Sequence, residues 1–376
     1  MKSFLQFLQR AFKYFRNTKR VWRRPPRASL LIIDRGTASP LDEMFAHHTP
    51  HIMEIRGESV NMFALLRALP KIHLGAVAYL EAYIDFVKPK LILSRTDNNH
   101  TLWQLKRRPN VTYQVALIQN GWRFEYEESL PEPAPKKNYK TDKFFTFGSA
   151  TSKILTQRLG GELIASGSLK ANTIRFEKQS DKPPSVAFIS TFRALKRENY
   201  IEGSEFFGTL GKLCKKFEVR LVIAGCEKSH DGHQIERDFY SELLKNFDWQ
   251  IFQRVNDFSS YDVITSSSCA IVESSSLGYE SLSLGLKTGF IAIRERNRMT
   301  DRFGLPLEFG EKGPFWTNDP SEEEIGRILD YLLSVSDEQW ERDSGWIRDQ
   351  LMVHDYGNTK IRAYVEGVLT GSLESK

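Results

Sequence analysis

The sequence of 376 residues contains only three cysteines and no long apolar run. Cys214, Cys226 and Cys269 lie far apart and lack the short spacings of metal-binding or disulfide-rich domains. We therefore expect buried structural thiols in a reducing cytoplasm. No stretch of roughly eighteen apolar residues occurs, so the sequence predicts no transmembrane helix. A hydrophobic content of 40% and a charged content of 27% indicate a globular protein and argue against a fibrous or disordered one.

Three catalytic signatures are also missing. The sequence has no Gly-x-x-x-x-Gly-Lys-Ser/Thr loop, no Gly-x-Gly-x-x-Gly after a strand and no Gly-x-Ser-x-Gly turn. These absences argue against a P-loop kinase, a dinucleotide-dependent oxidoreductase and an α/β-hydrolase. His230 and His233 stand in a glycine-containing loop, which is a weak metal-binding pattern, so we expect neither a metal ion nor a cofactor.

Acidic residues are absent from the first 33 positions, where nine basic residues occur. The net charge of +6 less these nine leaves −3 for the remaining chain, so the basicity belongs to an amino-terminal arm. The nine residues are Lys2, Arg10, Lys13, Arg16, Lys19, Arg20, Arg23, Arg24 and Arg27.

The arm carries a second pattern, because residues 1–24 space their apolar side chains by three, four and seven positions. This spacing predicts one face of a helix, which Pro25 and Pro26 end. An apolar face with basic flanks is typical of a helix lying in the headgroups of an anionic membrane. Packing on protein and binding of single-stranded nucleic acid are the alternatives, although the body offers no further basic patch. The apolar positions are Phe4, Leu5, Leu8, Phe12, Phe15 and Trp22.

Beyond the arm, short apolar strands alternate with helical patterns, which predicts βαβ units and mainly parallel sheets. The length favours two domains. We expect two doubly wound, Rossmann-like α/β domains facing a cleft, with ligands at the carboxyl ends of the strands. The expected organisation is an arm at 1–27, a first α/β domain at 28–170, a linker at 171–184, a second α/β domain at 185–335, and carboxyl-terminal helices at 336–376 that return to the first domain.

A serine-rich turn stands out in the second half of the chain. The apolar run 270–272 leads into Glu273 and three serines, and Leu277-Gly278-Tyr279-Glu280 then opens a helix. Small hydroxyl residues at a helix amino terminus favour binding of a phosphate or diphosphate. Plain capping of the helix by Ser275 or Ser276 is an equally good interpretation of these local features.

The run SSSLGYESLSLGLKTGFIAIR, starting at Ser274, resembles the donor-nucleotide motif of GT-B glycosyltransferases and of UDP-N-acetylglucosamine 2-epimerases. By this resemblance, Ser275, Ser276 and Gly278 lie near the donor diphosphate and Glu280 lies at the ribose. Ser274 belongs to the same expected donor site. The resemblance also implies that Ser190, Arg193 and Gly225, which follow the first two strands of the second domain, belong to the donor site. A surface salt bridge is an equal alternative for Arg193.

Polar groups follow two strands of the first domain, at 94–99 and 119–123. These runs, with Glu236, Phe239 and Tyr240, resemble bacterial surface-carbohydrate biosynthesis proteins of GT-B type over most of residues 90–295. An inverting transferase needs a general base for the acceptor hydroxyl. We expect Asp97 in this role, with His100 as second choice; a loop-capping carboxylate is the alternative for Asp97. The expected acceptor- or sugar-binding residues are Asn98, Gln119, Asn120, Gly121 and Arg123, although Asn-Gly also forms simple turns.

Together these features predict a glycosyltransferase that moves a sugar from a nucleotide-sugar to a membrane-attached polysaccharide or lipid-linked glycan. The expected setting is the biosynthesis of lipopolysaccharide or capsule, at the inner face of the cytoplasmic membrane. The predicted partners are the nucleotide-sugar, the glycan acceptor and an anionic membrane surface, and not nucleic acid. A nucleotide-sugar 2-epimerase, a CDP-linked glycerophosphate-type transferase and a non-catalytic glycan-binding module are the alternatives.

Overall fold

The computed structural model describes residues 18–108, 111–122, 139–176, 183–294, 305 and 307–372. The chain divides into two compact units. Unit 1 comprises residues 1–173 and 357–376, and unit 2 comprises residues 174–356. The helix predicted for residues 1–17 and the sugar-binding role predicted for Arg123 fall outside the described residues.

The described strands and helices follow the alternation expected from the sequence. The strands are β1 (Lys19–Val21), β2 (Leu30–Ile33), β3 (His51–Met53), β4 (Ser59–Asn61), β5 (Leu91–Ser94), β6 (Gln114–Ile118), β7 (Lys140–Thr146), β8 (Gly160–Ala165), β9 (Ser185–Ile189), β10 (Arg220–Ala224), β11 (Trp249–Phe252), β12 (Cys269–Val272), β13 (Thr288–Ile291), β14 (Lys312–Gly313) and β15 (Trp316–Thr317). The α-helices are α1 (Leu41–Met44), α2 (Met62–Ala68), α3 (Ala76–Val87), α4 (Ser149–Thr156), α5 (Glu205–Lys216), α6 (His230–Leu243), α7 (Ser259–Thr265), α8 (Ser276–Ser283), α9 (Glu322–Ser334), α10 (Asp337–Leu351) and α11 (Thr359–Thr370).

Unit 1 is built on a six-stranded parallel sheet in the order β3-β2-β5-β6-β7-β8. All four residues of β2 are buried, because helices cover both faces of the sheet. Leu31 and Ile33 face the core that contains α3, whereas Leu30 and Ile32 face the core that contains α11. This alternation follows from the two-residue period of a strand.

Unit 2 is built on a seven-stranded sheet in the order β11-β10-β9-β12-β13-β15-β14. All neighbours pair in parallel except β14 and β15. Its first five strands follow the 3-2-1-4-5 order of a Rossmann fold, and the order reverses between β9 and β12. The predicted class, two doubly wound α/β units, is confirmed.

The two carboxyl-terminal helices belong to different units. In α10, Trp340 donates from its indole nitrogen to the carbonyl of Gly285, 3.0 Å away, within unit 2. In α11, Ile361 and Val365 are buried in the core of unit 1. The structure therefore separates two helices that the sequence analysis had grouped at 336–376.

The predicted amino-terminal helix does not extend to residue 24. Lys19–Val21 forms β1 instead, which pairs in parallel with β4 in a separate two-stranded sheet. The Asn61 side chain donates to the carbonyl of Arg23 over 2.7 Å and fixes the following residues. The helix prediction is thus wrong for residues 18–24, because backbone pairing with β4 outweighs the local apolar periodicity. Among the described residues, no helix is long and apolar enough to span a membrane.

Two of the three cysteines are buried as expected. Cys214 on α5 and Cys269 on β12 are buried, and Cys226 is partly buried. Burial raises the pKa of both Cys214 and Cys269 to about 12. These two thiols therefore remain protonated at neutral pH and act as small apolar side chains of the core.

Candidate functional site

The serine turn lies at the carboxyl end of β12 and starts α8. Ser275 is the residue that caps the helix, and its hydroxyl accepts a hydrogen bond from the Leu277 amide over 3.3 Å. The Gly278 amide donates to the Ser275 carbonyl over 2.9 Å. The capping interpretation is therefore realised for Ser275. The amino terminus of α8, which is the positive end of its dipole, lies at the edge of the sheet, and this position stabilises an anion.

Gly278 brings α8 against the strand that precedes it. A Cβ atom at this position would lie 2.5 Å from Cγ1 of Val272, closer than real side-chain atoms approach. Any larger residue would push the first turn of α8 away from β12. The absence of a side chain thus sets the distance between the helix amino terminus and the end of the strand.

A hydrogen bond from a neighbouring helix fixes the side chain of Glu280. The hydroxyl of Tyr261 on α7 donates to a carboxylate oxygen of Glu280 over 2.7 Å. Tyr261 is buried, and Glu280 is partly exposed. The carboxylate one turn into α8 therefore has a fixed direction rather than a free rotation.

A buried ion pair lies directly beside the serines, and the sequence analysis assigned it no role. Glu273 and Arg294 follow β12 and β13, and their side chains are each 6% exposed. Arg294 Nη2 lies 2.6 Å from one carboxylate oxygen of Glu273, and the amides of Ile293 and Arg294 donate to the other. Arg294 also reaches the Ser274 hydroxyl at 3.5 Å and stacks on the ring of Tyr200. The pair fixes the loop from which the serines project.

Ser190, at the end of β9, belongs to a second buried network. Its hydroxyl donates to Glu236 over 2.5 Å and accepts from the hydroxyl of Tyr240 over 3.0 Å. Glu236 also accepts from the amides of Cys226 and Glu227 after β10. Burial raises the pKa of Glu236 above its usual value. The network ties α6 to the ends of β9 and β10, so Ser190 positions these loops.

Gly225 and Arg193 flank this network. A Cβ atom on Gly225 would lie 2.7 Å from the carbonyl oxygen of Phe252, so only glycine fits beside β11. Arg193 is exposed and donates to the Phe192 carbonyl and to the thiol of Cys226. Among its described contacts, Arg193 makes no carboxylate salt bridge, and its guanidinium lies between the loops that follow β9 and β10.

β9 and β12 are neighbours in the sheet, and the strand order reverses between them. Ser190 therefore lies on one side of this reversal, and Ser274 and Ser275 lie on the other. In open α/β sheets, ligands bind in the crevice outside the carboxyl ends of the strands at such a point. The predicted donor residues that follow β9 and β12 thus come together at the position where this fold accommodates ligands.

In unit 1 the strand order reverses between β2 and β5, and the acidic residue that follows β2 has a strained backbone. Asp34 is buried and has a φ of 82°, an unusual conformation for a residue other than glycine. It forms a bidentate ion pair with Arg56, with distances of 2.6–2.9 Å, and accepts from Thr96 over 2.6 Å. No pattern in the sequence singled out this carboxylate. Its partners lie 22 and 62 residues away.

The residues predicted to act on the acceptor differ in exposure. Asp97 is buried, and its backbone carbonyl accepts from the indole of Trp103 over 3.1 Å. His100 is exposed, packs against the Trp103 ring at 4.6 Å, and lies 3.4 Å from the Tyr139 hydroxyl. Asn98, between them, is exposed. In the loop after β5, Asp97 is thus buried, whereas Asn98 and His100 are accessible to solvent.

The loop after β6 contains the other predicted sugar-binding groups. Gln119 is buried and its amide is engaged, because it donates to the Gly121 carbonyl and accepts from the Phe147 amide over 2.7 Å. Asn120 is exposed and accepts from Arg95 over 2.7 Å. Gln119 therefore shapes the turn at Gly121, whereas Asn120 presents its side chain to solvent and links this loop to that after β5.

Two Rossmann-like units in sequence, each with polar groups where its strand order reverses, are the architecture of the GT-B fold. The chain belongs to the family described as "putative O-antigen biosynthesis protein", whose model matches residues 116–368. It is therefore a surface-carbohydrate biosynthesis protein of GT-B type. No curated protein matches the sequence.

Solved structures share the fold at low identity. The S. aureus MnaA–UDP complex has a TM-score of 0.53 and 14% identity, covering 94% of this chain and 97% of that chain. The Neisseria meningitidis UDP-GlcNAc 2-epimerase bound to UDP-GlcNAc has a TM-score of 0.53 and 13% identity, covering 89% and 98%. The wall teichoic acid polymerase TagF with CDPG has a TM-score of 0.53 and 10% identity, covering 93% and 91%. These similarities show the fold.

Proposed function

We propose that this protein is a glycosyltransferase that moves a sugar from a nucleotide-sugar to a membrane-attached surface polysaccharide or a lipid-linked glycan. The observation that carries the proposal is the serine turn, which starts α8 at the strand-order reversal of the unit 2 sheet. Membership of an O-antigen biosynthesis family supports a glycan as the acceptor.

The donor side of the reaction follows from the chemistry of this turn. The amino terminus of α8 and the hydroxyls of Ser274, Ser275 and Ser276 bind the diphosphate, and Glu280, held by Tyr261, accepts hydrogen bonds from the ribose. As the bond between the anomeric carbon and the diphosphate breaks, negative charge grows on the leaving group. Preorganised amides and hydroxyls stabilise that charge, so the proposed reaction uses no metal ion.

The acceptor side needs a base. In an inverting transfer, the acceptor oxygen forms a bond to the anomeric carbon while the base removes its proton. We assign this role to Asp97, with His100 as second choice. The exposed His100 reaches solvent in the described structure, whereas the buried Asp97 needs a local rearrangement to reach an acceptor. Replacing each separately, as Asp97→Asn and His100→Gln, and measuring kcat distinguishes the two.

A membrane-attached acceptor requires the enzyme to lie at the membrane. The basic, apolar pattern of residues 1–24 supports this location. Within this segment, Trp22 is 65% exposed, and Leu66 in α2 and Leu69 just after it are also exposed. The guanidinium of Arg24 lies over the Phe63 ring of α2, 5.7 Å from its centroid. Unit 1 thus presents apolar side chains next to cations.

Nucleotide binding is the first test of the proposal. UDP, GDP, CDP and CMP are added separately to the purified chain, and the unfolding temperature is measured. We expect one nucleotide to raise it in a concentration-dependent way, and Glu280→Gln to weaken that response. Glu322→Gln, an exposed carboxylate on α9, is the matched control. If no nucleotide raises the unfolding temperature, a non-catalytic glycan-binding module is the better explanation.

The reaction itself is tested with the nucleotide-sugar that the binding experiment selects. The enzyme is incubated with it, with and without a lipid-linked glycan extract, and the products are separated. A glycosyltransferase releases the nucleotide only in the presence of acceptor. Epimerisation of the donor without acceptor would contradict the proposal, and transfer of a glycerophosphate with release of CMP would favour the CDP-linked alternative.

Membrane binding is tested by sedimentation with liposomes. We expect the full chain to sediment with vesicles containing anionic lipid and not with neutral vesicles, because the positive charge is concentrated in the arm. Deleting residues 1–17 leaves β1 intact and should release the protein while nucleotide binding persists. Equal sedimentation of the truncated protein would contradict the proposed role of the arm.

A further inference from the structure

Two histidines and a glutamate meet on the surface of unit 1. His47 and His48 lie in a 3-10 helix, Ala46–His48, and Glu366 lies on α11. His47 Nε2 is 2.9 Å from Glu366 Oε1, and His48 Nε2 lies 3.0 and 2.9 Å from the two carboxylate oxygens. The three ligand atoms all lie within 4.8 Å of one another. Ligand atoms from segments more than 300 residues apart in the sequence thus lie close together.

The donor set determines which ion would fit. Two imidazole nitrogens and one carboxylate oxygen suit zinc and related first-row divalent ions, whereas magnesium and calcium prefer oxygen ligands. In a tetrahedral zinc site with bonds of about 2.0–2.1 Å, neighbouring ligand atoms lie about 3.3 Å apart. The nitrogen–oxygen distances of 2.9 and 3.0 Å are within a few tenths of an ångström of that spacing. The two imidazole nitrogens lie within 4.8 Å of each other, so rotations of the side chains bring all three ligand atoms to this spacing.

We propose that His47, His48 and Glu366 form a binding site for a zinc-class divalent cation, with water as the fourth ligand. The site joins the helix before β3 to the carboxyl-terminal helix. Other contacts already hold α11 in place: Lys90 donates to the Leu369 carbonyl over 3.1 Å, and Arg362 to the Met44 carbonyl over 3.3 Å. A bound ion adds bonds between the same two parts of the chain, so it stabilises the docking of α11 on unit 1.

The position of the site separates it from the proposed reaction. His47 and His48 precede β3 and therefore lie towards the amino-terminal edge of the parallel sheet, whereas Asp34 and Asp97 follow the carboxyl ends of β2 and β5. The ion is thus expected to stabilise the fold without entering the transfer. An absence of metal binding would consequently leave the glycosyltransferase proposal intact, and an absence of glycosyl transfer would leave the metal site intact.

Zinc binding by the tag-free, chelator-treated full chain tests the proposal. Titration calorimetry with Zn²⁺ should give one equivalent bound, and Co²⁺ should give the absorption of a four- or five-coordinate site. We expect His48→Gln and Glu366→Gln each to weaken Zn²⁺ affinity by tenfold or more, on the order of the effect of disturbing a metal site. His73→Gln, an exposed histidine elsewhere in unit 1, should leave the affinity unchanged.

Circular dichroism confirms that each variant is folded before its affinity is compared. Zn²⁺ should also raise the unfolding temperature of the unmodified chain and of His73→Gln, but not that of Glu366→Gln. Absence of Zn²⁺ binding, or equal binding by His48→Gln, Glu366→Gln and the unmodified chain, would overturn the proposal. The latter result would show that the ion binds at other histidines.

Discussion

Replacing Glu273 by glutamine tests whether the buried ion pair supports the serine turn. The substitution keeps the shape of the side chain and one acceptor oxygen for the amides of Ile293 and Arg294. It removes the negative charge that faces the Arg294 guanidinium. Arg294 is 6% exposed, so solvent cannot replace the lost partner.

The structure sets the expected magnitude. Breaking a buried ion pair by removing one partner costs about 3–5 kcal/mol, because a buried charge is left uncompensated. Glu273→Gln keeps its contacts with the backbone amides, so we expect a loss of about 3 kcal/mol in the free energy of unfolding. The exposed pair Lys212–Glu322, with side chains 63% and 53% exposed, provides the comparison. Glu322→Gln should cost at most about 1 kcal/mol.

Urea unfolding followed by circular dichroism and tryptophan fluorescence measures the difference. For a denaturant dependence of about 3 kcal/mol per molar urea, a loss of 3 kcal/mol lowers the midpoint by about 1 M. Glu322→Gln should shift it by no more than about 0.3 M. The double variant Glu273→Gln/Arg294→Met should be less destabilised than the sum of the two single variants, because it leaves no unpaired charge.

The reasoning would be refuted by a midpoint for Glu273→Gln that matches that of Glu322→Gln. It would also be refuted if Arg294→Met added its full effect to that of Glu273→Gln, because additive effects exclude a coupled pair. If both results agree with the expectation, the nucleotide response of Glu273→Gln shows how far the ion pair positions Ser274.

Two further predictions concern the ends of the strands. Gly278→Ala should lower the free energy of unfolding by about 1–3 kcal/mol in urea titrations, because the new methyl group overlaps Val272; an unchanged midpoint would contradict this close contact. Burial raises the pKa of Asp34, but hydrogen bonds from Arg56 and Thr96 outweigh it and hold the pKa below 3.8. The stability that Asp34 contributes is therefore present above pH 3.8 and is lost below it. At pH 7, Asp34→Asn should have a lower free energy of unfolding than the unmodified chain. This difference should shrink when urea unfolding is repeated towards pH 3.

Much of the architecture could be predicted because its causes are local. The runs 30–33 and 269–272 are apolar at every position, as strands covered on both faces require, and both are strands in the structure. Ser275 also caps α8, where the sequence pattern expected a capping serine. The amino-terminal region shows the limit of such reasoning, because β1 at Lys19–Val21 forms through pairing with a strand about 40 residues further along the chain.

The candidate site was less accessible to sequence reasoning. Gln119 ends an apolar strand like a ligand-binding residue, yet its amide binds Gly121 and Phe147. Asp34 and Glu273 also end apolar strands, and only the fold shows that each is paired with an arginine. Whether a polar group at a strand end faces a partner or solvent depends on the neighbouring strands.

The sequence by itself determined the periodicity of the elements, the two α/β halves and the position of the serine turn, because hydrophobic patterning and helix capping act within a few residues. Only the tertiary structure decided which strands are neighbours and where their order reverses. It thereby brought Glu273 to Arg294, Asp34 to Arg56, and Glu366 to two histidines more than 300 residues away. Such pairings arise from sheet order and helix docking, which no local pattern encodes.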